Sequence, residues 1–445
     1  MSGSVASEAG PACQSGSTSR SELDELQLVK LRHLLATLLP ANRFYSRKIS
    51  AAEIGSSLAS IAQFQRLVPF TTKHELVKDR LEHPPYGSNL TYPLEHYVRC
   101  HQTSGSTAVP IRWLDTRESW AALLENWARI FAAAGVRHDD RFFFAFSFGP
   151  FLGFWSAIEA VHRQGWFCFS GGGMSTTARA QAILDNRITV LCCTPTYAQH
   201  LGETARQKGI DLSLSRVRLV IVAGEAGGSI PATRSRIAQL WPGAQVFDHH
   251  GMTEVGPVSY QCPAQPGRLH ILEESYLAEV IDPRTGEPAE PGQTGELVLT
   301  TLDRIGSPAL RYRTGDLVTP LRGPCRCGTQ DLTLQGGILG RADDMVVVRG
   351  VNVYPGTVEE IVRRCPEVGE YLVEVDSRRA MLELNLCVEL THSSSQGAEA
   401  VRHSLEEAFQ AALNLRVPVR VVPPGTLPRY EMKARRWVRV TEGVA

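Results

Sequence analysis

The chain has 445 residues, and its 46 basic and 46 acidic side chains give a formal net charge of zero at pH 7. This balance argues against a broad basic surface for nucleic acid or anionic lipid. With 43% apolar and 21% charged residues, the composition excludes a collagen-like or largely disordered chain and is typical of a globular enzyme of roughly two to three domains.

The N-terminal residues 1–20 are rich in Ser, Gly and Ala, and they lack the basic start and the apolar core of a signal peptide. They are predicted to form a disordered leader. Without export, the ten cysteines are expected to be mostly reduced, which favours a cytoplasmic protein. The uncharged stretch 142–158 is interrupted by glycine and proline and is shorter than the roughly 20 residues of a membrane helix, so no membrane segment is expected.

Apolar residues at helical spacing predict an amphipathic helix over 26–39, whereas the mixed, proline-interrupted residues 68–85 predict a loop. From about residue 115, helical patterns alternate with short apolar runs at 142–146, 189–193 and 218–223. This alternation is typical of α/β units around a mostly parallel sheet.

After Pro257 the pattern changes, because strand-like runs at 276–282, 295–301 and 309–313 are separated by Gly/Pro turns. Further strands are predicted at 346–348, 371–375, 381–388 and 417–422, with helices at 356–364 and 397–412. The predicted fold class is therefore α/β. A large N-terminal domain spans 21–342 and includes a β-rich part over 257–340, and a small α+β C-terminal domain spans 343–445.

A hydroxyl-rich loop gives the sharpest local motif: Thr103, Ser104, Gly105, Ser106 and Thr107. Hydroxyl and backbone donors of this kind can wrap a phosphate. The loop lacks the Gly-Lys-Ser/Thr of a Walker motif, and in isolation such a run is usually a plain loop.

More motifs follow in a fixed order. They are Ala223-Gly224-Glu225, His250-Gly251-Met252-Thr253-Glu254, Tyr312-Arg313-Thr314-Gly315-Asp316, Gly340-Arg341-Ala342-Asp343-Asp344, Arg349-Gly350-Val351-Asn352-Val353-Tyr354-Pro355, and Leu427-Pro428-Arg429 with Lys433. Each is common alone, but their order over more than 300 residues is very hard to obtain by chance.

This series resembles the adenylate-forming superfamily of acyl-CoA synthetases, and within it the phenylacetate–CoA ligase family. Residues 341–355 and the short C-terminal domain are similar to that family rather than to luciferases or peptide-synthetase adenylation domains. The resemblance covers nearly the whole chain after the leader. It implies an AMP-binding domain with a small mobile lid domain, which turns about Asp343 as its hinge.

The resemblance also implies a reaction, in which an aromatic acid attacks the α-phosphorus of ATP and the acyl-adenylate then passes to coenzyme A. Thr103, Ser104, Ser106 and Thr107 would hold the β- and γ-phosphates, and Lys433 would stabilise the charge that develops during adenylation. Glu254 with Thr253 would bind Mg²⁺, which prefers oxygen ligands. Asp316 would accept the ribose hydroxyls and Arg341 would reach ribose and phosphate. The remaining nucleotide-binding residues would be Gly105, Gly224, Glu225, Asp248, His249, His250, Gly251 and Met252.

The sequence departs from most of this family at two places. Ala108, Val109 and Arg112 stand where relatives often have Gly and Lys, so the phosphate loop would be less mobile and its extra charge missing or supplied by Arg112. His250 replaces a frequent tyrosine. An imidazole can stack on adenine, but its charge would respond to pH.

The resemblance to aryl-acid ligases also implies an acid-binding pocket formed by Phe146, Phe148, Gly149 and Phe151, with Ala223, Gly224 and His249 as the far wall. Aromatic walls suit a flat acid. The alternative is that these phenylalanines only pack the core.

Cys262, His270 and the pair Cys325 and Cys327 form a candidate metal knuckle, because three thiolates and one imidazole suit tetrahedral Zn²⁺. A structural zinc is predicted, with unrelated buried thiols as the alternative.

Two other functions stay open. The enzyme could pass the acyl group, or AMP itself, to an amine, a carrier-protein thiol or a deazaflavin phenol. The chain could also be a catalytically silent nucleotide-binding protein, although Glu254, Asp316, Arg341 and Lys433 are all present. The expected partners are an aryl acid, ATP and CoA, with no nucleic acid and no membrane. A homodimer is allowed.

Overall fold

The computed structural model describes residues 19–50, 58–103, 110–349, 351–376, 382–391, 397–430 and 434–440. The predictions for residues 1–18, for Ser104, Gly105, Ser106, Thr107, Ala108 and Val109, and for Lys433 concern residues outside these ranges.

The described chain opens with four helices: α1 (Arg20–Ala41), α2 (Arg43–Ser50), α3 (Ile61–Leu67) and α4 (Lys73–Glu82). Helix α1 contains the predicted helix 26–39, and a capping box between Ser19 and Glu22 starts it. The loop predicted over 68–85 is wrong. A second capping box, between Thr72 and Glu75, starts α4, and this helix buries Leu76.

A hairpin and a long helix lead to the central sheet: β1 (Tyr97–Gln102), β2 (Arg112–Thr116) and α5 (Arg117–Ala133), after a 3₁₀ turn at Leu94–His96. The sheet strands are β3 (Arg141–Phe144), β4 (Phe167–Ser170), β5 (Val190–Cys193), β6 (Leu219–Val222) and β7 (Gln245–Asp248). The intervening helices are α6 (Trp155–Arg163), α7 (Thr176–Asp185), α8 (Pro195–Gln207) and α9 (Pro231–Leu240), with a 3₁₀ turn at Leu212–Leu214.

The five strands run parallel in the order β4-β3-β5-β6-β7, as the alternating pattern predicts. The apolar runs of β5 and β6 are buried throughout, which is typical of a sheet covered on both faces. The loops after β6 and β7 carry Gly224 and His249, so two of the predicted motifs meet at the carboxyl edge of the sheet.

The β-rich part follows a short pair, β8 (Gly251–Met252) and β9 (Gly256–Pro257). Its strands are β10 (Ser259–Gln261), β11 (Arg268–Ile271), β12 (Tyr276–Ile281), β13 (Gly295–Thr301), β14 (Tyr312–Leu321) and β15 (Thr333–Arg341). They form one antiparallel sheet in the order β10-β11-β15-β14-β13-β12. The strand predicted at 309–313 starts only at Tyr312, because Arg311 has a positive φ of 42° that breaks the extended backbone.

The C-terminal domain has its own hydrophobic core. Its elements are β16 (Val346–Val348), β17 (Val351–Val353), α10 (Pro355–Arg363), β18 (Val368–Asp376), β19 (Glu383–Leu390), α11 (Ala398–Leu413), β20 (Val419–Val422) and β21 (Trp437–Val440). The sheet order is β20-β19-β18-β21, and β21 pairs with β18 in parallel. Across the described ranges, none of the helices combines the length and the apolar composition needed to cross a bilayer.

Candidate active site

A cleft of about 560 Å³ lies between the large domain and the C-terminal domain, and its size suits a small-molecule site. The predicted residues that line it are Gly224, Glu225, Asp248, His249, His250, Gly251, Met252, Asp316, Arg341 and Asp343. Ala434 and Arg436 of the C-terminal segment line the opposite side. Most of the motif residues that are far apart in the sequence therefore converge on one cavity.

Asp316 connects two cationic or titratable side chains at this cleft. Its Oδ2 lies 3.0 Å from Nε2 of His250, and its Oδ1 accepts a hydrogen bond from Nη1 of Arg341 at 3.2 Å. Gly315 has a φ of +77°, which favours glycine because other residues adopt this conformation only with strain. Nδ1 of His250 is buried without a hydrogen-bond partner among the described residues, and a bound base could satisfy it.

Asp248 is the last residue of β7 and directly precedes His249 and His250. Its carboxylate accepts hydrogen bonds from the Ser229 hydroxyl at 2.5 Å and from the His249 amide at 3.0 Å. Burial raises the pKa of Asp248. Asp343 is exposed, and its Oδ1 lies 2.9 Å from Nε of Arg341.

The predicted magnesium residues follow directly after Met252, although Thr253 and Glu254 themselves are not among the residues that line the cleft. Burial raises the pKa of Glu254, and its carboxylate forms no salt bridge within the described part of the chain. The charges of Lys73 and Arg341 oppose this rise in pKa, but a partly buried carboxylate with no close ion pair fits a site for a divalent cation.

An ion pair that the sequence did not suggest holds this segment in place. Nη1 of Arg304 donates to the carbonyl oxygens of Thr253 and Glu254 at 2.9 and 3.0 Å. The same guanidinium binds both carboxylate oxygens of Asp115, at 2.6 and 2.7 Å, and both side chains are fully buried. The two residues are 189 positions apart, so no local spacing could have indicated the pair.

Thr103, the last described residue before the predicted phosphate loop, is paired with Ile111 on its far side. Its amide donates to the carbonyl of Ile111 at 2.9 Å, and its hydroxyl accepts from the Ile111 amide at 3.1 Å. Just before it, the Gln102 amide donates to the carbonyl of Pro150 at 2.8 Å. The strand that enters the phosphate loop is thus attached to the segment that carries the predicted pocket phenylalanines.

Those phenylalanines form an aromatic cluster, defined here by Phe146, Phe148, Phe151, Phe154 and Trp127. The ring of Phe146 lies 5.2–5.7 Å from the rings of Phe148, Phe151 and Phe154 in edge-to-face arrangements. Gly149 allows this packing, because a Cβ there would lie 2.5 Å from the Phe151 ring.

The aromatic cluster continues to the cleft through His249. The Trp127 ring lies 6.0 Å from the Phe154 ring and 4.5 Å from the His249 ring. Nδ1 of His249 lies 2.7 Å from the carbonyl oxygen of Ser259, and burial lowers the pKa of this histidine to about 3. His249 is therefore neutral near pH 7. Of the other two predicted wall residues, Gly224 lines the cleft and Ala223 is buried directly after β6.

Cys262, His270, Cys325 and Cys327 come together at one end of the antiparallel sheet, with their ligand atoms within 4.8 Å of one another. The Sγ atoms of Cys262 and Cys325 are 3.6 Å apart, and Sγ of Cys327 is 3.4 Å from Nε2 of His270. A tetrahedral zinc site has edges of about 3.5–3.8 Å between such atoms. The Thr333 hydroxyl lies 3.1 Å from Nδ1 of His270, which leaves Nε2 for a metal.

Comparison with known proteins agrees with this geometry. The AMP-binding enzyme family pattern matches residues 98–302, and the AMP-binding enzyme C-terminal domain pattern matches residues 350–439. Phenylacetate-coenzyme A ligase of Thermus thermophilus is 31% identical over 93% of this chain and 95% of its own length. The chain belongs to the phenylacetate–coenzyme A ligase family. The Escherichia coli member is 32% identical over 93% of this chain and 94% of its own length. The chain is therefore an AMP-forming acid–CoA ligase, which confirms the predicted family, fold class and enzyme class.

Solved structures of a related ligase show the same fold, and two of its catalytic states match this chain to different degrees. A 2-hydroxyisobutyryl-CoA ligase in the postadenylation state, in complex with 2-HIB-AMP, matches with a TM-score of 0.90 at 28% identity, over 95% of this chain and 90% of that chain. The same ligase with 2-HIB-AMP and CoA in the thioesterification state gives 0.71, over 95% and 91%. The present chain is thus more similar as a whole to the postadenylation structure than to the thioesterification structure.

Proposed function

We propose that this family member activates an aromatic carboxylic acid as its acyl-adenylate and transfers the acyl group to coenzyme A. The aromatic cluster carries this proposal, since it leads from Phe146 through Phe154 and Trp127 to the neutral ring of His249 at the cleft. Of these rings His249 lines the cleft, where an aromatic acid could pack its flat ring against the imidazole.

For the nucleotide, Asp316 would accept the ribose hydroxyls while His250 and Arg341 hold its carboxylate in place. Carboxylate oxygens have lone pairs left for further acceptor bonds. Glu254, with Thr253, would hold Mg²⁺, and the ion would offset the negative charge of the phosphates when bound. Arg304 keeps these two residues in register with the rest of the site.

Lys433 is proposed as the cation that stabilises the adenylation transition state. The neighbouring residue Ala434 lines the cleft, which supports this role. Loss of such a charge contact in a partly dry site lowers a rate by about 10²–10³. Lys433→Ala should therefore slow pyrophosphate release from acid and ATP by that factor, while thioester formation from a presynthesised acyl-adenylate and CoA should continue.

The four-residue Cys/His cluster is proposed to hold one structural Zn²⁺. Two of its interatomic distances, 3.6 and 3.4 Å, are close to the edges of a tetrahedral site, and it joins β11 to the turn between β14 and β15. The homodimer, the cytoplasmic location and the domain boundary at residue 343 stay predictions from the sequence.

The acid class is tested by pyrophosphate release from ATP with phenylacetate, cyclohexylacetate or 2-hydroxyisobutyrate, with and without CoA. Phenylacetate should exceed cyclohexylacetate in kcat/KM by about tenfold, since each favourable ring contact contributes roughly 0.5–1.5 kcal/mol. An equal or higher kcat/KM for cyclohexylacetate or 2-hydroxyisobutyrate would contradict the proposal that the substrate is an aromatic acid. Mass spectrometry should find the CoA thioester, and its absence would contradict CoA as the acceptor.

A further inference from the structure

One carboxylate at the cleft connects the two domains. Oε1 of Glu225 accepts a hydrogen bond from the Thr196 amide at 2.9 Å, and Oε2 accepts one from the Ala434 amide at 2.8 Å. Thr196 lies in the first turn of helix α8 in the large domain, whereas Ala434 belongs to the C-terminal domain and lies 209 residues away from Glu225 in the sequence.

We propose that Glu225 is a positioning residue, which docks the segment 434–436 against the start of helix α8 and thereby supports the adenylation role proposed above for the preceding residue, Lys433. This inference rests on the proposed role of Lys433 in adenylation. The docking contact is defined here as the bonds of Glu225 to Thr196 and Ala434, together with the bond between Thr196 and Arg436.

The helix start fixes the carboxylate of Glu225. The amide of Thr196 is one of the amides in the first turn of α8 that have no partner within the helix. An anion is favoured there by the helix dipole. One oxygen of Glu225 is thereby held, and the other is presented to Ala434.

The bond to Ala434 acts directly on its neighbour in the sequence. The amide N–H of Ala434 lies in the same planar peptide unit as the Cα of Lys433. A carboxylate that holds this N–H therefore restrains the position from which the lysine side chain starts. Glu225 is not suited to bind the triphosphate directly, because its negative charge would repel the phosphates.

A second bond holds the same segment two residues further on. Nη1 of Arg436 donates to the Thr196 hydroxyl at 3.3 Å, and Nε of Arg436 donates to Glu370 at 2.7 Å. Arg436 is buried in this arrangement. Because Glu225 and Thr196 belong to one domain and Ala434 and Arg436 to the other, the docking contact must break whenever the C-terminal domain turns away.

The catalytic test is a double-mutant cycle on acid-dependent ATP–pyrophosphate exchange with phenylacetate. Glu225→Gln keeps the shape of the side chain but replaces one charged acceptor with an amide donor, so exchange should fall about tenfold or more. In the Lys433→Ala background the same change should lower the exchange rate by less than about twofold, because Glu225 acts through that lysine. Equal factors in both backgrounds would overturn the inference.

The structural test needs no turnover. Hydrogen exchange measured by mass spectrometry on peptides covering 434–440 should become faster in Glu225→Gln and in Thr196→Val. Glu159→Gln is the matched control, since Glu159 accepts from the Trp120 indole at 2.7 Å within the large domain, and it should leave these peptides unchanged. Unchanged exchange in Glu225→Gln would overturn the docking contact. Faster exchange together with a fully active Lys433→Ala enzyme would instead refute the proposed role of Lys433.

Discussion

Asp316 has a chemical role that a neutral side chain of the same shape cannot fill. Its two oxygens already hold His250 and Arg341, and the bound ribose would add further donors. Asp316→Asn replaces one acceptor oxygen with a donor, so ATP should bind at least about tenfold more weakly. Titration calorimetry with ATP checks this, with the surface variant Asp211→Asn as control. Unchanged ATP affinity would mean that the ribose is held elsewhere.

Arg304 should contribute more to stability than any exposed charge of the chain. Arg304→Met leaves the buried carboxylate of Asp115 without its partner, which costs about 3–5 kcal/mol of unfolding free energy. The control Arg99→Met removes an exposed guanidinium that pairs with Glu159, and it should cost less than about 1 kcal/mol. Urea unfolding measures both values, and similar losses would contradict the prediction.

At the scale of single residues, the sequence motifs predicted that Asp316, His250 and Arg341 belong to one site, and these residues do line the same cleft. The motifs missed Arg304 and Asp115, because a buried ion pair between distant positions leaves no local pattern. They also grouped Glu225 with the nucleotide-binding residues. The hydrogen bonds that its two oxygens accept depend on how the domains are arranged, which the sequence does not state.

At the scale of elements, α10 and β18 enclose a buried charge network. Burial alone would raise the pKa of Glu359, but Arg363 and Arg436 outweigh it and lower the pKa to about 2. The folded pKa lies below the ordinary value of 4.5, so this group stabilises the fold above pH 4.5, and the contribution is lost as the pH falls towards 2. Glu359→Gln should flatten that decline in denaturant titrations followed by tryptophan fluorescence. An unchanged slope would show that other carboxylates cause it.

The Cys/His cluster links strand β11 to the turn before β15. Cys325→Ser should remove stoichiometric zinc and lower Tm, because metal binding adds directly to folding stability. Cys100→Ser changes an exposed cysteine outside the cluster and should leave both zinc and Tm unchanged. Elemental analysis measures the zinc content of each variant, and thermal unfolding measures its Tm. Purified protein without about one zinc per chain would contradict the site.

Most elements follow from apolar periodicity, since β5, β6 and β13 lie where the apolar runs predict them. The exceptions have local causes. Helix α4 depends on the Thr72–Glu75 capping box within a polar stretch, and the start of β14 depends on the backbone conformation of Arg311. Neither changes the hydrophobic pattern, so a prediction based on that pattern misses both.

For the whole molecule, the predicted hinge at Asp343 gives a test of the two domain arrangements. Proline fixes φ near about −65°, so Asp343→Pro should block the arrangement that needs another value. One half-reaction, adenylation or thioester formation, should then be lost while the other remains. Asp343→Ala is the control, because it removes the carboxylate that contacts Arg341 but leaves the backbone free. If both half-reactions of Asp343→Pro proceed normally, the hinge lies at another residue.

The order of the domains could be predicted from the sequence, but their relative orientation could not. The orientation depends on contacts such as the hydrogen bond from the Ala434 amide to the Glu225 carboxylate. In such a contact one of the two partners is a backbone group, which leaves no residue-specific pattern in the sequence. A backbone amide can be offered by nearly any residue type, and the alanine itself therefore gave no signal.

The segment 146–154 has attachments on two sides. The carbonyl of Pro150 binds the strand that enters the phosphate loop, and the Leu152 amide donates to the Thr253 hydroxyl at 3.3 Å. An acid that displaces the aromatic rings of this segment would therefore also move the groups proposed to bind ATP and its metal ion. Such thermodynamic linkage is reciprocal, so an acid that tightens the affinity for ATP is itself bound more tightly when ATP is present, by the same factor. Selectivity among acids would then be a property of the ternary complex rather than of the empty pocket.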